Sequence, residues 1–171
     1  PYTYVATMGL AMQAAAVAEL PFVVLDRPNP LGGEGAGPGA LGGWVLEPDR
    51  SSFVGLYPIP LAHGLTAGAL ARMIQGEGWL PGLEDLELDV VPMVGWRRTD
   101  RWDDLGRPWA PPSPGLPTAA TAQIYAGTVL FEATSLSIGR GTTEPFSLVG
   151  APWVDSGALA TQLNGRGLPG V

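Results

Sequence analysis

A glutamate and an arginine, Glu132 and Arg140, lie in one short segment of the chain, TVLFEATSLSIGRGTT (128–143). An apolar run ends at Glu132 and gives way to small and hydroxylated residues around Arg140. A carboxylate that meets an arginine in one turn is typical of acid–base and anion-binding sites, and it is also a common structural ion pair. The flanking glycines, Gly139 and Gly141, predict positive φ angles and a close approach of the backbone to a ligand.

Glycoside hydrolysis is a reaction that such a pair suits. It typically requires two carboxyl groups on either side of the scissile bond, one of them protonated as a general acid. Glu132 is the candidate for one of these groups, and Asp26, Glu144 and a residue outside this chain are candidates for the other. Arg140 is a candidate for holding an anionic substituent of the substrate through its bidentate fork.

A second group of polar residues follows the apolar run PFVVLD (21–26). This run predicts a buried parallel strand with Asp26 at its carboxyl end, where the ligands of open α/β sheets bind. Asp26, Arg27 and Asn29 are therefore candidate substrate-binding residues. The alternative is that Asp26 and Arg27 cap and brace the loop that follows, whose path the prolines fix.

His63 and Trp102 are further candidates. His63 is the only histidine and lies in a loop rich in proline and glycine. With an ordinary pKa of about 6.5 it suits acid–base catalysis, and the alternative is that it anchors the loop through a hydrogen bond. Trp102 lies in a charged segment, 96–104, where an indole face suits the C–H face of a sugar, although such segments are often salt-bridged loops in solvent.

Composition and missing motifs exclude several classes of protein. The chain has 171 residues, a net charge of −7 and nine basic residues, all arginine, so it lacks the basic face that a nucleic-acid-binding protein needs. Its longest apolar stretch, 5–25, is interrupted by Gln13, Glu19 and Pro21, which argues against a membrane span. The absence of G-x-S-x-G, H-E-x-x-H and phosphate-loop motifs disfavours serine hydrolases, zinc proteases and kinases. With one histidine and no cysteine, no metal site is predicted.

The elements that must position these residues are predicted from hydrophobic periodicity and capping residues. In the first part of the chain they are a helix over 7–20, strands over 21–26, 51–56 and 86–94, and a helix from the cap Thr66 to about residue 75. In the second part they are a short helix capped by Thr118, a strand over 145–150 and a helix from the cap Asp155 to about Asn164. This alternation of helices and strands predicts an α/β fold.

A change of composition marks a domain boundary. Residues 96–117 are first charged and aromatic and then rich in proline, which predicts a boundary near Pro111. Residues 1–110 are interpreted as part of a Rossmann-like, doubly wound domain, and residues 111–171 as the beginning of a smaller α/β domain.

Five segments resemble the signatures of one family, the NamZ-type exo-β-N-acetylmuramidases, in their order and spacing. They are FVVLDRPNPLGG (22–33), FVGLYPIPLAHGLTAGALA (53–71), VVPMVGWRR (90–98), PWAPPSPGLPT (108–118) and LFEATSLSIGRGTTEPFSLVGAPW (130–153). The resemblance implies a Rossmann-like N-terminal domain, a smaller α/β C-terminal domain and a site in the cleft between them. It also implies release of terminal N-acetylmuramic acid from the non-reducing end of peptidoglycan fragments, without a cofactor.

The resemblance implies roles for individual residues. Glu132 and His63 are the expected catalytic residues, and Arg140 is the expected partner of the carboxylate on the lactyl ether of N-acetylmuramic acid. Thr142 joins Arg140, Asp26, Arg27, Asn29 and Trp102 among the expected substrate-binding residues.

Two departures from the family pattern keep an alternative open. Ser135 stands where the family usually has asparagine, and Ile138 where it has an acidic residue. A non-catalytic protein that binds muropeptides or sugars on the same scaffold is therefore the alternative. Family members are longer at both ends, with a further glutamate upstream, so the chain is expected to be an internal fragment. The expected location of the protein is the cell envelope or the outside of the cell. The sequence does not indicate an oligomeric state.

Overall fold

A computed structural model of the chain describes residues 2–33, 36–37 and 40–168. The chain divides into two compact units, Pro1–Ser113 and Pro114–Val171, which are called here the first and second unit. The first unit contains α1 (Tyr2–Val17), β1 (Phe22–Leu25), α2 (Ala67–Gly76), β2 (Leu88–Val91) and short 3-10 helices at Pro48–Arg50 and Trp102–Leu105. The second unit contains α3 (Ala119–Thr128), a 3-10 helix at Val129–Ala133 and α4 (Ser156–Asn164).

Strands β1 and β2 pair in parallel, with Phe22 opposite Leu88 and Leu25 opposite Val91. Helix α2 lies between them in sequence and packs on both, which makes a β-α-β unit. The predicted α/β fold is therefore confirmed. A Rossmann-like, doubly wound arrangement involves more strands than these two, and it stays a prediction.

The core of the first unit lies between α1, α2 and the sheet. Leu70, Ala71 and Ile74 are fully buried on one face of α2, at the spacing of an amphipathic helix. Met12 from α1 and Val24 from β1 are buried in the same cluster. The core therefore fixes the position of α2 against the carboxyl end of β1, where the candidate residues begin. No helix within the described ranges is both long and apolar enough to cross a membrane.

Capping residues set the beginnings of three helices, as the sequence predicts. The hydroxyl of Thr66 accepts the N–H of Ala69 at 3.1 Å, and the hydroxyl of Thr118 accepts the N–H of Thr121 at 3.0 Å. Asp155 likewise accepts from the first turn of α4. Each cap satisfies an N–H group that has no partner within its helix, which is why these helices begin where they do. The helix predicted over 7–20 is also present, although it begins and ends earlier, as α1.

The strand predicted over 51–56 is wrong. Ser52 and Gly55 hydrogen bond to each other in both directions, at 2.8 and 3.1 Å, and so close a tight turn. Phe53 and Val54 lie at the tip of that turn and are exposed. The backbone N–H and C=O groups of Ser52 and Gly55 are thus paired within the turn and not with the sheet.

The strand predicted over 145–150 is also wrong. Phe146 has φ +64°, a left-handed conformation outside the β region that regular strand residues adopt. Of this segment only Gly150 makes an antiparallel bridge, to Ser137. The apolar run before Glu132 is not buried: it forms a 3-10 helix in which Leu130 and Phe131 are exposed.

Gly68 makes the close packing of α2 on the sheet possible. A Cβ added there would clash with Cγ1 of Val90 and lie 3.0 Å from Cγ of Asp26. We expect Gly68→Ala to lower the free energy of unfolding by about 1–3 kcal/mol, the usual cost of overpacking. Gly76→Ala, in the same helix, places its Cβ in open space and is expected to be neutral or to stabilise by up to about 1 kcal/mol. Urea unfolding of both variants is the measurement, and equal stabilities would contradict the packing argument.

Candidate active site

Asp26 lies directly after β1 and binds the beginning of α2. Its Oδ1 accepts the N–H of Gly68 at 2.6 Å and that of Arg27 at 2.9 Å. Its Oδ2 accepts the hydroxyl of Thr66 at 3.0 Å. A carboxylate at a helix N-terminus is stabilised by the free N–H groups and by the helix dipole. Asp26 therefore caps α2, and its role in binding substrate stays a prediction.

Arg27 and Asn29 continue the connection between β1 and α2. The carbonyl of Arg27 accepts the N–H of Ala67 at 3.2 Å, and the residue is exposed to solvent. The side-chain amide of Asn29 donates to the carbonyl of Leu65 at 3.4 Å, and its Oδ1 accepts the N–H of Leu31 at 3.0 Å. Asn29 therefore braces the loop after β1 against the loop before α2.

His63 is half-buried in the loop before α2. Its Nδ1 accepts the N–H of Leu65 at 3.1 Å. Burial lowers the pKa of His63 below its ordinary value, because removal from water penalises the charged ring. The ring is therefore neutral at pH 7 and is held by its own loop.

Two glycines let the His63 loop approach the loop after β1. Gly64 has φ +65°, and its carbonyl would lie 2.8 Å from a Cβ added to Gly33. The N–H of Gly33 donates to the carbonyl of Arg98 at 2.7 Å. A side chain at Gly33 would push these segments apart, and one at Gly64 would be strained.

The segment around Trp102 holds the loop after β1 from its other side. Nε of Arg101 donates to the carbonyl of Ala36 at 2.7 Å, and the backbone N–H of Trp102 donates to the carbonyl of Pro30 at 3.4 Å. The Trp102 ring makes an edge contact with Trp109, with 5.0 Å between ring centroids. Its buried indole N–H has no acceptor among the described residues. The role of Trp102 as a sugar platform stays a prediction.

Glu132 and Arg140 form an ion pair in the second unit. Oε1 of Glu132 accepts Nε–H of Arg140 at 2.5 Å and also contacts Nη2. The guanidinium carbon of Arg140 lies 4.8 Å from the centroid of the Phe146 ring, at the distance of a cation–π contact. Phe146 is buried and packs edge-on against Tyr125. Phe146 therefore covers one face of the Arg140 guanidinium, and Glu132 binds one of its edges. The side chain is still 55% exposed to solvent.

The loop that carries Arg140 is braced from within. Gly139 and Gly141 have φ +74° and +83°, so their predicted positive φ angles are confirmed. The hydroxyl of Thr142 donates to the carbonyl of Gly139 at 2.7 Å and accepts the N–H of Glu144 at 3.1 Å. Thr142 therefore maintains the loop's shape, and its role in binding substrate stays a prediction.

Phe146 is the residue of this site that sequence reasoning missed. Its N–H donates to the carbonyl of Ile138 at 2.6 Å, and its φ of +64° turns the ring under Arg140. A bulky residue in the left-handed region is a genuine outlier, which local propensity disfavours. No sequence pattern we identified singles out Phe146, because its conformation depends on contacts with other parts of the loop.

The arrangement suits recognition of an anion beside a carboxylate. The open N–H groups of Arg140 match the geometry of a carboxylate, and Glu132 supplies an oxygen acceptor next to them. Within the described ranges, no group of three or more aspartate, glutamate or histidine side chains is placed to hold a metal ion.

Comparisons with known proteins match both units. The profile of the N-terminal domain of the exo-β-N-acetylmuramidase NamZ matches residues 1–120, and that of its C-terminal domain matches residues 123–171. The peptidoglycan β-N-acetylmuramidase NamZ of Bacillus subtilis is 48% identical over 170 residues, which are 99% of this chain and 39% of that protein.

Two solved structures of DUF1343 family proteins from Bacteroides fragilis have a similar fold. One has a TM-score of 0.88 and 43% identity over 98% of this chain, and the other a TM-score of 0.78 and 38% identity over 88% of it. The chain spans only about two fifths of these relatives, 42% and 40% of the two structures. Since the N-terminal profile alone covers more than half of the chain, the chain belongs to the NamZ exo-β-N-acetylmuramidase family.

Proposed function

We propose that this chain is part of a glycoside hydrolase that releases terminal N-acetylmuramic acid from the non-reducing end of peptidoglycan fragments. The observation that carries the proposal is the 48% identity to the Bacillus subtilis peptidoglycan β-N-acetylmuramidase over 170 residues. The matched region contains the segment with Glu132 and Arg140. Because the chain spans 39% of that relative, the activity is proposed for the whole protein.

The surroundings of Arg140 support a substrate that carries a carboxylate. N-acetylmuramic acid differs from N-acetylglucosamine by a lactyl ether, which adds one carboxylate to the sugar. Glu132 occupies the Nε edge of Arg140 and Phe146 covers one face, so the remaining edge is presented in a fixed orientation. A preoriented guanidinium binds a carboxylate with less loss of side-chain entropy than a free one.

Glu132 supports the hydrolytic part of the proposal. Glycoside hydrolysis needs a carboxyl group that protonates the leaving oxygen and a second carboxylate that activates water or attacks the anomeric carbon. Glu132 is proposed for one of these roles, and Arg140 holds its carboxylate in place. The second carboxyl group is not assigned, since Asp26 is engaged by α2 through both of its oxygens.

Hydrolysis of a chromogenic β-N-acetylmuramide by the whole protein tests the proposal, with the matching β-N-acetylglucosaminide as control. Turnover of the muramide alone is the expected result, because only that sugar offers a carboxylate to Arg140. Equal turnover of both substrates would argue against recognition of the lactyl group. Cleavage of neither, with a melting temperature that muramic acid still raises, would favour the alternative of a non-catalytic sugar-binding protein.

A further inference from the structure

The His63 ring is fixed in one tautomer by its own loop. A neutral imidazole carries one N–H, and the nitrogen that accepts a hydrogen bond is the one without it. Nδ1 accepts the N–H of Leu65 at 3.1 Å, so the proton lies on Nε2. Nε2 makes no hydrogen bond to any residue that the structure describes, although the ring is half-buried.

The peptide of Leu65 is itself held, which makes the other tautomer costly. Its carbonyl accepts from the amide of Asn29 at 3.4 Å, and Oδ1 of Asn29 is fixed by the N–H of Leu31. The next residue, Thr66, is the cap of α2. With the proton on Nδ1, the N–H of His63 would face the N–H of Leu65. The half-buried N–H of Leu65 would then lose its acceptor, which is costly.

We infer that His63 binds the substrate as a hydrogen-bond donor, through Nε2–H, and does not transfer the catalytic proton. A general base needs an unprotonated nitrogen that faces the reacting group, and in this geometry the unprotonated nitrogen faces Leu65. The loop of His63 is held against the segment that follows the carboxyl end of β1, which is where ligands of parallel sheets bind.

The chemical class of the ligand follows from the donor. Nε2–H requires an oxygen acceptor, and an N-acetylated amino sugar offers hydroxyl, ring and acetamido oxygens. This identity of the ligand rests on the proposed function, whereas the tautomer of His63 does not. The inference replaces the catalytic role that the sequence predicted for His63 with a binding role.

Long-range ¹H–¹⁵N NMR of the whole protein tests the tautomer directly, with the His63 signals assigned by their loss in His63→Gln. The expected pattern at neutral pH is that of a neutral ring protonated at Nε2. A ring protonated at Nδ1, or a charged ring at pH 7, would overturn the inference whether or not the protein hydrolyses any sugar.

Kinetics of His63→Leu and His63→Gln on the muramide test the role. Loss of one donor is expected to raise KM about tenfold with little change in kcat, and glutamine, whose amide also donates, is expected to restore part of the affinity. A loss of about 10²-fold or more in kcat in both variants would identify a proton-transfer group and overturn the inference.

A binding measurement separates this inference from the proposed function. If the wild-type protein does not hydrolyse the muramide, the proposed function fails, and calorimetry with free N-acetylmuramic acid then takes the place of kinetics. A Kd about tenfold weaker in His63→Leu than in the wild type supports the donor role. An unchanged Kd, or no binding by the wild type, overturns it.

Discussion

Replacing Asp26 by alanine is expected to lower the free energy of unfolding by about 3 kcal/mol or more, the combined effect of losing charged hydrogen bonds and a helix cap. The carboxylate accepts hydrogen bonds from the N–H groups of Gly68 and Arg27 and from the hydroxyl of Thr66, and alanine accepts none of them. The loss should appear as a lower urea midpoint with an unchanged slope, because the extent of unfolding is the same.

Two further variants distinguish the effect of losing the helix cap from the effect of losing a negative charge. Asp26→Asn retains the Oδ1 acceptor for Gly68 and is expected to lose only about half as much stability as alanine, since neutral hydrogen bonds are roughly half as strong. Asp89→Ala removes from the neighbouring strand an exposed carboxylate, which makes no hydrogen bond to any residue in the described ranges, and is expected to change stability by less than about 0.5 kcal/mol. Full stability of Asp26→Ala together with lost activity would instead favour the substrate-binding alternative for Asp26.

The features that could be predicted from the sequence are those decided by nearby residues. Thr66, Thr118 and Asp155 cap their helices because a cap needs only the backbone of the next turn. The run 22–25 forms a parallel strand, as predicted, because apolar and β-branched residues suit that conformation. Its predicted burial is wrong, since Val23 and Leu25 are exposed and only Val24 is buried. The ion pair of Glu132 with Arg140 could likewise be predicted from the sequence, because one short loop connects the two residues.

The features that could not be predicted depend on contacts between distant segments. The engagement of Asp26 requires α2, which lies about forty residues further along the chain, to return against β1. The run 51–56 has the composition of a strand, yet it closes on itself through Ser52 and Gly55. Phe146 takes a left-handed conformation because Tyr125 and Arg140 accommodate its ring, and neither contact is visible in the local pattern.

Replacing Glu132 by glutamine is expected to lower kcat for the muramide by at least about 10²-fold, the usual range for a lost general acid or base. Glutamine keeps the shape of the side chain and an oxygen that can accept from Arg140, so the fold should be retained. The measurement is steady-state kinetics of the whole protein, with circular dichroism as the control for folding. Wild-type kcat in Glu132→Gln would restrict Glu132 to orienting Arg140.

Replacing Arg140 by alanine is expected to have a different signature. KM for the muramide should rise by about tenfold to 10²-fold, whereas the glucosaminide should be affected little, because only the muramide offers a carboxylate to the guanidinium. Arg140→Lys is the matched control, since it keeps the charge and loses the planar fork, and it should fall between wild type and alanine. Equal losses on both sugars would contradict recognition of the lactyl carboxylate by Arg140.

The double variant, Glu132→Gln with Arg140→Ala, tests whether the two residues contribute to kcat and KM independently. Groups in direct contact are coupled, and Glu132 contacts Arg140 through both Nε and Nη2. If Glu132 does chemistry of its own, its effect on kcat should persist in the Arg140→Ala background, while any effect it has on KM should vanish there, because the group that it orients is gone. If instead Glu132→Gln changes nothing once Arg140 is alanine, the pair acts only as one anion-binding unit. Both acid–base carboxyl groups would then lie elsewhere in the whole protein, and Glu132 would serve only to orient Arg140.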